Sequence, residues 1–189
     1  MAGTMDLASL LIAIASLDHK AAVDLLSATP SLATARLARR EEFFLAERLA
    51  QVHEGDTALH SAGFSYDPQM ARDLITRGSD IRARNRRGAE PLHAAVISAP
   101  GSASWNPACQ RDVIVYLIEA GADPNAAAAE GVTPLHRAVR NRGHPPHGRL
   151  DLIHHLGRAD LPAQWRPGHP RTPAQRCVVT VLAGRPRGG

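Results

Sequence analysis

A short phrase, Ala-Leu-His or Pro-Leu-His, recurs three times in this chain of 189 residues, each time shortly after a glycine. The three copies occupy residues 55–60, 88–93 and 131–136. The first two copies are 33 residues apart and the next two are 43 apart. Recurrence at this distance is typical of a tandem array, in which each repeat is one small unit that stacks on its neighbours. The sequence therefore predicts a stack of repeats.

A 33-residue period with Thr-Pro-Leu-His at the start of a helix resembles the ankyrin repeat. The resemblance is strong over residues 55–142, partial over 5–54 and faint beyond. It implies an all-α solenoid of helix-turn-helix repeats with β-hairpin-like fingers. It also implies that the motif histidine is structural, because it hydrogen-bonds the backbone of its own and of the neighbouring repeat. The signature residues are Thr57, Leu59, His60, Pro91, Leu92, His93, Thr133, Pro134, Leu135 and His136.

The chain divides into three predicted regions. Residues 1–54 form an N-terminal helical cap and a bridging helix, residues 55–157 form the repeats, and residues 158–189 form a degenerate tail. The predicted repeats are about 55–87, 88–130 and 131–157.

Local patterns predict several element boundaries. Apolar residues at three- and four-residue steps indicate a helix over 7–17, and Asp18 is the predicted N-cap of a second helix that Pro30 ends. Residues 36–53 are amphipathic, which predicts the bridging helix. The 10 extra residues of the second repeat fall at 98–107, between its two helices. The third repeat is predicted to open with a helix over 134–140, and the Thr57 hydroxyl is the predicted cap of the first helix of the first repeat.

Basic residues are concentrated near the C-terminus. Residues 1–140 hold 14 Lys+Arg and 16 Asp+Glu, whereas residues 141–189 hold 8 and 2. A uniformly basic nucleic-acid-binding domain is therefore not indicated. Lys20 is the only lysine. This arginine bias, with abundant Ala, Gly and Pro, is typical of GC-rich coding DNA and favours a bacterial-type ankyrin protein.

The tail is rich in residues that interrupt regular structure. Residues 157–189 contain 5 Pro, 5 Gly and 6 Arg but one acidic residue, which predicts a poorly ordered segment. The phrase at 172–175, Thr-Pro-Ala-Gln, lacks the core leucine and the histidine. A frameshift in the gene is one hypothesis for such an ending.

Targeting and redox signals are weak in this sequence. The apolar run at 7–17 follows Asp6, has no basic residue ahead of it, and is shorter than the about 20 residues that cross a bilayer. Two cysteines, Cys109 and Cys177, provide no disulfide framework. We expect a cytoplasmic protein without a membrane segment.

The candidate partner-binding residues lie in a basic cluster and near a loop. Four of them fall in the finger between the first two repeats, where guanidinium groups could hold carboxylates or phosphates, although an ordinary solvated turn would look the same. Trp105 lies in the long loop 98–107, and such a side chain either packs on the helices or meets a partner. The candidates are Arg82, Arg84, Arg86, Arg87, Trp105 and Tyr66.

Signs of catalysis are sparse. His144, His147, His154 and His155 could suggest a metal site, but no carboxylate or cysteine stands at a recognised ligand spacing. The sequence shows no nucleophile motif, phosphate loop or dinucleotide fingerprint. We therefore expect no enzyme activity, no catalytic residue, no metal and no cofactor.

The expected function is non-catalytic binding of another protein through the concave face of the stack, by analogy of fold. Two alternatives remain: a metal-dependent or enzymatic role of the tail histidines, and polyanion or nucleic-acid binding by the Arg82–Arg87 finger. Incomplete cover of the last repeat would favour self-association through the C-terminal edge. The predicted core residues are Leu59, Leu74, Ile75, Leu92, Val96, Val113, Leu117, Ile118, Leu135 and Val139.

Overall fold

The computed structural model describes residues 3–48, 50–97 and 105–140. These residues form a stack of helix pairs joined by fingers. The helices are α1 (Gly3–Ala15), α2 (His19–Ala28), α3 (Ala58–Ser65), α4 (Pro68–Thr76), α5 (Pro91–Ala95), α6 (Pro107–Glu119) and α7 (Pro134–Arg140). The strands are β1 (Phe43–Leu45) and β2 (Ala50–Val52), and short 3-10 turns lie at Pro30–Ala33, Arg39–Glu41, Ala46–Arg48 and Ala129–Gly131.

The predicted N-terminal helix pair is present as α1 and α2. The side chain of Asp18 accepts a hydrogen bond from the Ala21 N–H at 3.0 Å, which confirms the predicted N-cap. The pair packs on the next repeat, because α1 contacts α3 and the Ser61 hydroxyl donates to the Leu11 carbonyl at 2.9 Å. The His19 Nε2 lies 2.6 Å from the buried carboxylate of Asp67, the N-cap of α4. The first helix pair is thus an integral layer of the stack.

The prediction of a bridging helix within 36–53 is wrong. Strands β1 and β2 pair there in antiparallel register, with Phe43 opposite Val52 and Leu45 opposite Ala50. Side chains alternate, so that Leu45 and Val52 are buried while Phe44 is exposed. A period of two and aromatic residues favour a strand over a helix. This hairpin belongs to the first finger (residues 34–56), which extends from the first layer.

The two clear repeats have the predicted order of elements. Helices α3 and α4 form the first, and Gly78, with φ of +90°, follows α4 as a helix-ending glycine. Helices α5 and α6 form the second, and the extra residues of this repeat lie between them. The predicted helix 134–140 is confirmed as α7. The second finger (residues 79–89) and the third finger (residues 122–132) connect these layers.

Helix α5 has only five residues, and side chains from elsewhere bind the carbonyl groups at its end. The amide of buried Gln110 donates to the carbonyl oxygens of Ala95 at 2.8 Å and Ile97 at 3.3 Å. The hydroxyl of Tyr66 donates to the same Ile97 oxygen at 2.7 Å. Polar groups at a helix terminus need such partners when they are shielded from water.

The predicted core is confirmed in its main features. One apolar cluster runs through all layers, and α3 contacts α1, α4 and α5. Ile75, Ile118 and Val139 are half-buried and pack against that cluster. The predicted core residues that are fully buried are Leu59, Leu74, Leu92, Val96, Val113, Leu117 and Leu135.

Several predictions fall outside the described residues. These are the loop 98–104, the second helix of the third repeat and the tail with its frameshift hypothesis. Within the described ranges, none of the helices combines the length and apolar character that a bilayer crossing requires.

Candidate recognition groove

A concave groove of about 680 Å³ lies between the fingers and the first helix of each repeat. Phe64, Ala94 and Arg137 contribute from α3, α5 and α7, while Arg87 and Ala129 contribute from the second and third fingers. Because each repeat supplies equivalent positions, the groove follows directly from stacking. We call it the concave groove.

The motif histidines hold adjacent repeats in register along this groove. His60 Nδ1 accepts a hydrogen bond from the Thr57 N–H at 3.2 Å, and its Nε2 lies 3.1 Å from the Ala89 carbonyl oxygen. In the next repeat His93 Nδ1 accepts from the Glu90 N–H at 3.1 Å. An accepting Nδ1 leaves the proton on Nε2, which therefore donates to the following repeat.

The same arrangement continues at the third repeat. His93 Nε2 lies 3.1 Å from the Val132 carbonyl oxygen, and His136 Nδ1 accepts from the Thr133 N–H at 3.2 Å. The Thr57 hydroxyl, which we expected to cap α3, instead lies 3.0 Å from His60 Nδ1. The threonine of the motif thus contacts the histidine that forms a hydrogen bond with the next repeat.

Burial keeps the imidazoles of His60 and His93 neutral. Desolvation lowers the pKa of His93 to about 4, and it also lowers the pKa of His60. Burial also lowers the pKa of His53, which lines the groove. Positive charge in the groove therefore comes from arginine.

A buried polar pair sets the position of the second finger. The Asn85 side-chain amide donates to Asp56 Oδ1 at 2.8 Å, and Asp56 Oδ2 accepts from the His53 N–H at 2.7 Å. The Asn85 side-chain oxygen accepts from the N–H groups of Arg87 at 3.0 Å and Ala89 at 3.1 Å. This pair was not predicted from the sequence, because its partners are 29 residues apart and neither is one of the signature residues.

Neighbouring fingers also bond through their backbones. The Arg86 N–H donates to the Glu54 carbonyl at 2.8 Å, and the Ala129 N–H donates to the Arg87 carbonyl at 2.8 Å. These bonds join the first finger to the second and the second to the third. The rim of the groove is thus a continuous, hydrogen-bonded edge.

The four predicted finger arginines are all exposed, but they differ in their partners. Arg84 Nε donates to Glu90 Oε1 at 3.1 Å, and Arg86 forms two hydrogen bonds with the Glu42 carboxylate. The Arg86 guanidinium lowers the pKa of Glu42 to about 2. These two arginines hold the second finger to its own repeat and to the first finger.

The remaining two finger arginines diverge. Arg82 Nη2 donates to the Gly121 carbonyl at 3.2 Å, at the end of α6. Arg87 lines the concave groove, and among the described residues its guanidinium forms no ion pair. The structure therefore separates the basic cluster into three arginines with intramolecular contacts and one facing the groove.

Trp105 and Tyr66 do not line the concave groove. Trp105 is half-buried and its indole N–H donates to Gln110 Oε1 at 3.0 Å. Tyr66 is 6% exposed and ends α3 in a left-handed conformation. Tyr66 packs at the junction of the first two repeats, where its hydroxyl donates to Ile97, and this leaves little of its side chain for a partner. Trp105 contacts Gln110 within the second repeat.

The described residues hold no group of three or more His, Cys, Asp and Glu side chains placed to bind a metal ion. His144, His147, His154 and His155 lie outside the described residues. The metal alternative, which depends on these histidines, therefore stays a prediction.

Comparison with solved structures bears directly on this architecture. An ankyrin repeat domain from Acinetobacter baumannii AYE superposes with a TM-score of 0.55 and 24% sequence identity, covering 79% of this chain and 63% of that domain. The chain has the ankyrin-repeat fold. This fold generally serves as a protein-interaction module. No protein-family model matches the sequence of this ankyrin chain.

Sequence relatives match about half of this chain, and one of them is named for ankyrin repeats. The ankyrin chain is 42% identical over 89 residues to E3 ubiquitin-protein ligase KEG of Arabidopsis thaliana and 38% identical over 87 residues to Ankyrin repeat and SOCS box protein 16 of Mus musculus. It is 34% identical over 88 residues to Protein PhlB of Serratia liquefaciens. These matches cover 47%, 45% and 46% of this chain but only 5%, 18% and 34% of the relatives.

Proposed function

We propose that this ankyrin stack is a non-catalytic binding module that holds a segment of another protein in its concave groove. The observation that supports the proposal most is the groove itself, about 680 Å³ in volume and framed by hydrogen-bonded fingers. A preorganised surface loses little conformational entropy when a partner binds. The histidine bonds between layers provide that preorganisation.

The chemistry of the groove suits a polypeptide. Its lining combines apolar surface, such as Phe64 and Ala94, with a few polar groups, including Arg87 and Gln51. Protein interfaces commonly combine an apolar centre with a small number of oriented polar contacts. Polyanion binding by the 82–87 finger has less support, because Arg84 and Arg86 already bind carboxylates of this chain.

Two further proposals concern the setting of the module. A cytoplasmic location is supported by the free thiol of Cys109, since disulfides rather than free cysteines are common in oxidising compartments. Self-association through the C-terminal edge stays a prediction, although Leu135 in the last described helix is only 1% exposed.

Site-specific photo-crosslinking tests the proposed function. A benzophenone amino acid replaces exposed Ala129 in the groove, or exposed Arg77 at the end of α4 as a control outside the groove lining. In cells of the source organism, we expect protein adducts at position 129 and few at position 77. Equal adduct yields at the two positions, or adducts only at position 77, would contradict binding through the groove.

A further inference from the structure

Two arginines meet on the concave groove from different repeats. Arg87 reaches it from the second finger, and Arg137 reaches it from α7. Arg87 is exposed and Arg137 is half-buried. Each guanidinium carries a permanent positive charge, so their meeting has an electrostatic cost.

The described residues do little to neutralise this pair. Arg137 Nη1 donates to the His93 carbonyl at 3.3 Å, which is a contact with a neutral group. The ion pairs of the described residues include neither Arg87 nor Arg137. Burial and the charge of Arg87 lower the pKa of Arg137, and the opposing effect of Asp56 is smaller. A carboxylate between the two guanidinium groups would relieve this repulsion.

Other titratable groups of the groove do not replace such a carboxylate. Asp56 is 1% exposed and is bound by Asn85 and the His53 backbone. Glu130 lines the groove from the third finger, but among the described residues it forms no ion pair with Arg87 or Arg137. His53 is buried and its pKa is lowered by burial, so it adds no charge at neutral pH.

Apolar surface lies beside the arginine pair. Half-buried Phe64 and Ile97 line the same groove, together with the buried side chain of Ala94. Guanidinium groups next to apolar surface favour a ligand that carries both carboxylates and apolar side chains. A nucleic acid would call for a longer row of free cations with aromatic residues between them.

We propose that the groove binds an acidic segment of a partner protein, whose Asp or Glu carboxylate lies between Arg87 and Arg137 and whose adjacent apolar side chain packs on Phe64 and Ile97. This inference rests on the proposed function and specifies the chemistry of its partner.

Peptide selection tests the inference. Random peptides displayed on phage are selected on the full chain, and the enriched peptides are synthesised for fluorescence anisotropy. We expect enrichment of Asp or Glu next to aliphatic residues. The double variant R87Q/R137Q should bind these peptides at least about tenfold more weakly, which is a loss of about 1.4 kcal/mol of binding free energy.

Matched variants separate charge from folding. R77Q/R111Q removes two exposed arginines outside the groove lining and should bind as the unchanged protein does. R87Q alone changes an exposed side chain, so its weaker binding would not reflect misfolding of α7. Ala129→Trp, which fills the groove from the rim, should block every selected peptide.

The outcomes distinguish the inference from the function on which it rests. If Ala129→Trp abolishes peptide binding but R87Q/R137Q leaves the affinity unchanged, the inference is overturned and binding in the groove still holds. If the peptides bind the Ala129→Trp variant as tightly as the unchanged protein, or if no peptide is enriched, both the inference and the proposed groove binding are contradicted. Binding of an oligo-dT probe that exceeds peptide binding and depends on Arg87 and Arg137 would overturn the peptide in favour of nucleic acid.

Discussion

The Nε2 atom of His60 lies 3.1 Å from the carbonyl oxygen of Ala89, so one imidazole joins the first clear repeat to the second. The same ring accepts the Thr57 N–H at 3.2 Å and is 1% exposed. A buried side chain with both nitrogens bonded leaves unpaired groups in two repeats when it is removed. The histidines of the motif therefore hold together the layers that form the groove.

Removal of these rings should destabilise the stack in proportion to their burial. We expect His60→Ala to lower the free energy of unfolding by about 3 kcal/mol, through lost hydrogen bonds and a new cavity. His136→Ala should lower the free energy of unfolding by less, about 1 kcal/mol, because His136 is half-buried. Urea denaturation of both variants measures the difference, and an equal loss would contradict the proposed role of burial.

Stability should fall as the solution becomes acidic. The pKa of His93 is about 4 in the folded protein and 6.5 as the ordinary value, so the unfolded chain binds the proton first. Neutral His93 therefore contributes about 3 kcal/mol to the free energy of unfolding. This contribution is fully present above pH 6.5 and is lost as the pH falls from 6.5 towards 4.

The His93→Gln variant isolates the titration. Denaturation at pH 7.5 and about 4.5 should show a smaller pH effect for the variant than for the unchanged protein, since glutamine does not titrate. An identical pH dependence in the two proteins would mean that other groups cause it.

The ion pair of Arg86 and Glu42 should control the mobility of the second finger more than overall stability. Both side chains are partly exposed, and ion pairs in contact with solvent contribute little to overall stability. We expect Glu42→Gln to speed hydrogen exchange of the Arg86 amide, which donates to Glu54, with little change in the urea midpoint. The control Asp112→Asn removes the exposed pair with Arg111 on α6 and should leave the finger amides unchanged.

Two glycines with positive φ offer a test of finger packing. Gly55 and Gly78 have φ of +84° and +90°, but a Cβ at Gly55 would lie 2.9 Å from the Arg84 carbonyl oxygen, whereas a Cβ at Gly78 would meet nothing within 4 Å. Gly78→Ala should lower the free energy of unfolding by about 1 kcal/mol, because alanine is strained in the left-handed conformation. Gly55→Ala should lower the free energy of unfolding by clearly more, because the added methyl group also pushes the first finger away from the second. Equal costs by thermal unfolding would show that the fingers do not pack as described.

The repeat signature predicts the helices well because its signals are local. Pro134 and the apolar spacing after it predict α7 to the residue, and Gly78 marks the end of α4. The hairpin of β1 and β2 was missed because charged residues around Phe43 made the segment look like an amphipathic helix. Short apolar runs fit both periods, and tertiary contacts decide between them.

The groove was less predictable than the helices. The resemblance implied a concave face and the sequence showed four finger arginines, yet nothing local separates Arg87 from Arg84 and Arg86. That distinction arises from carboxylates far along the chain, such as Glu42, which lies 44 residues from Arg86. Arg137 was not a candidate, because its neighbour in the groove comes from another repeat.

Hydrogen exchange of the complex with the crosslinked partner segment tests groove binding most directly. We expect slower exchange in β2, at the tips of the second and third fingers, and in α3 and α5, with unchanged exchange in α4 and α6. Protection confined to α4 and α6, with unchanged exchange in the fingers, would contradict groove binding.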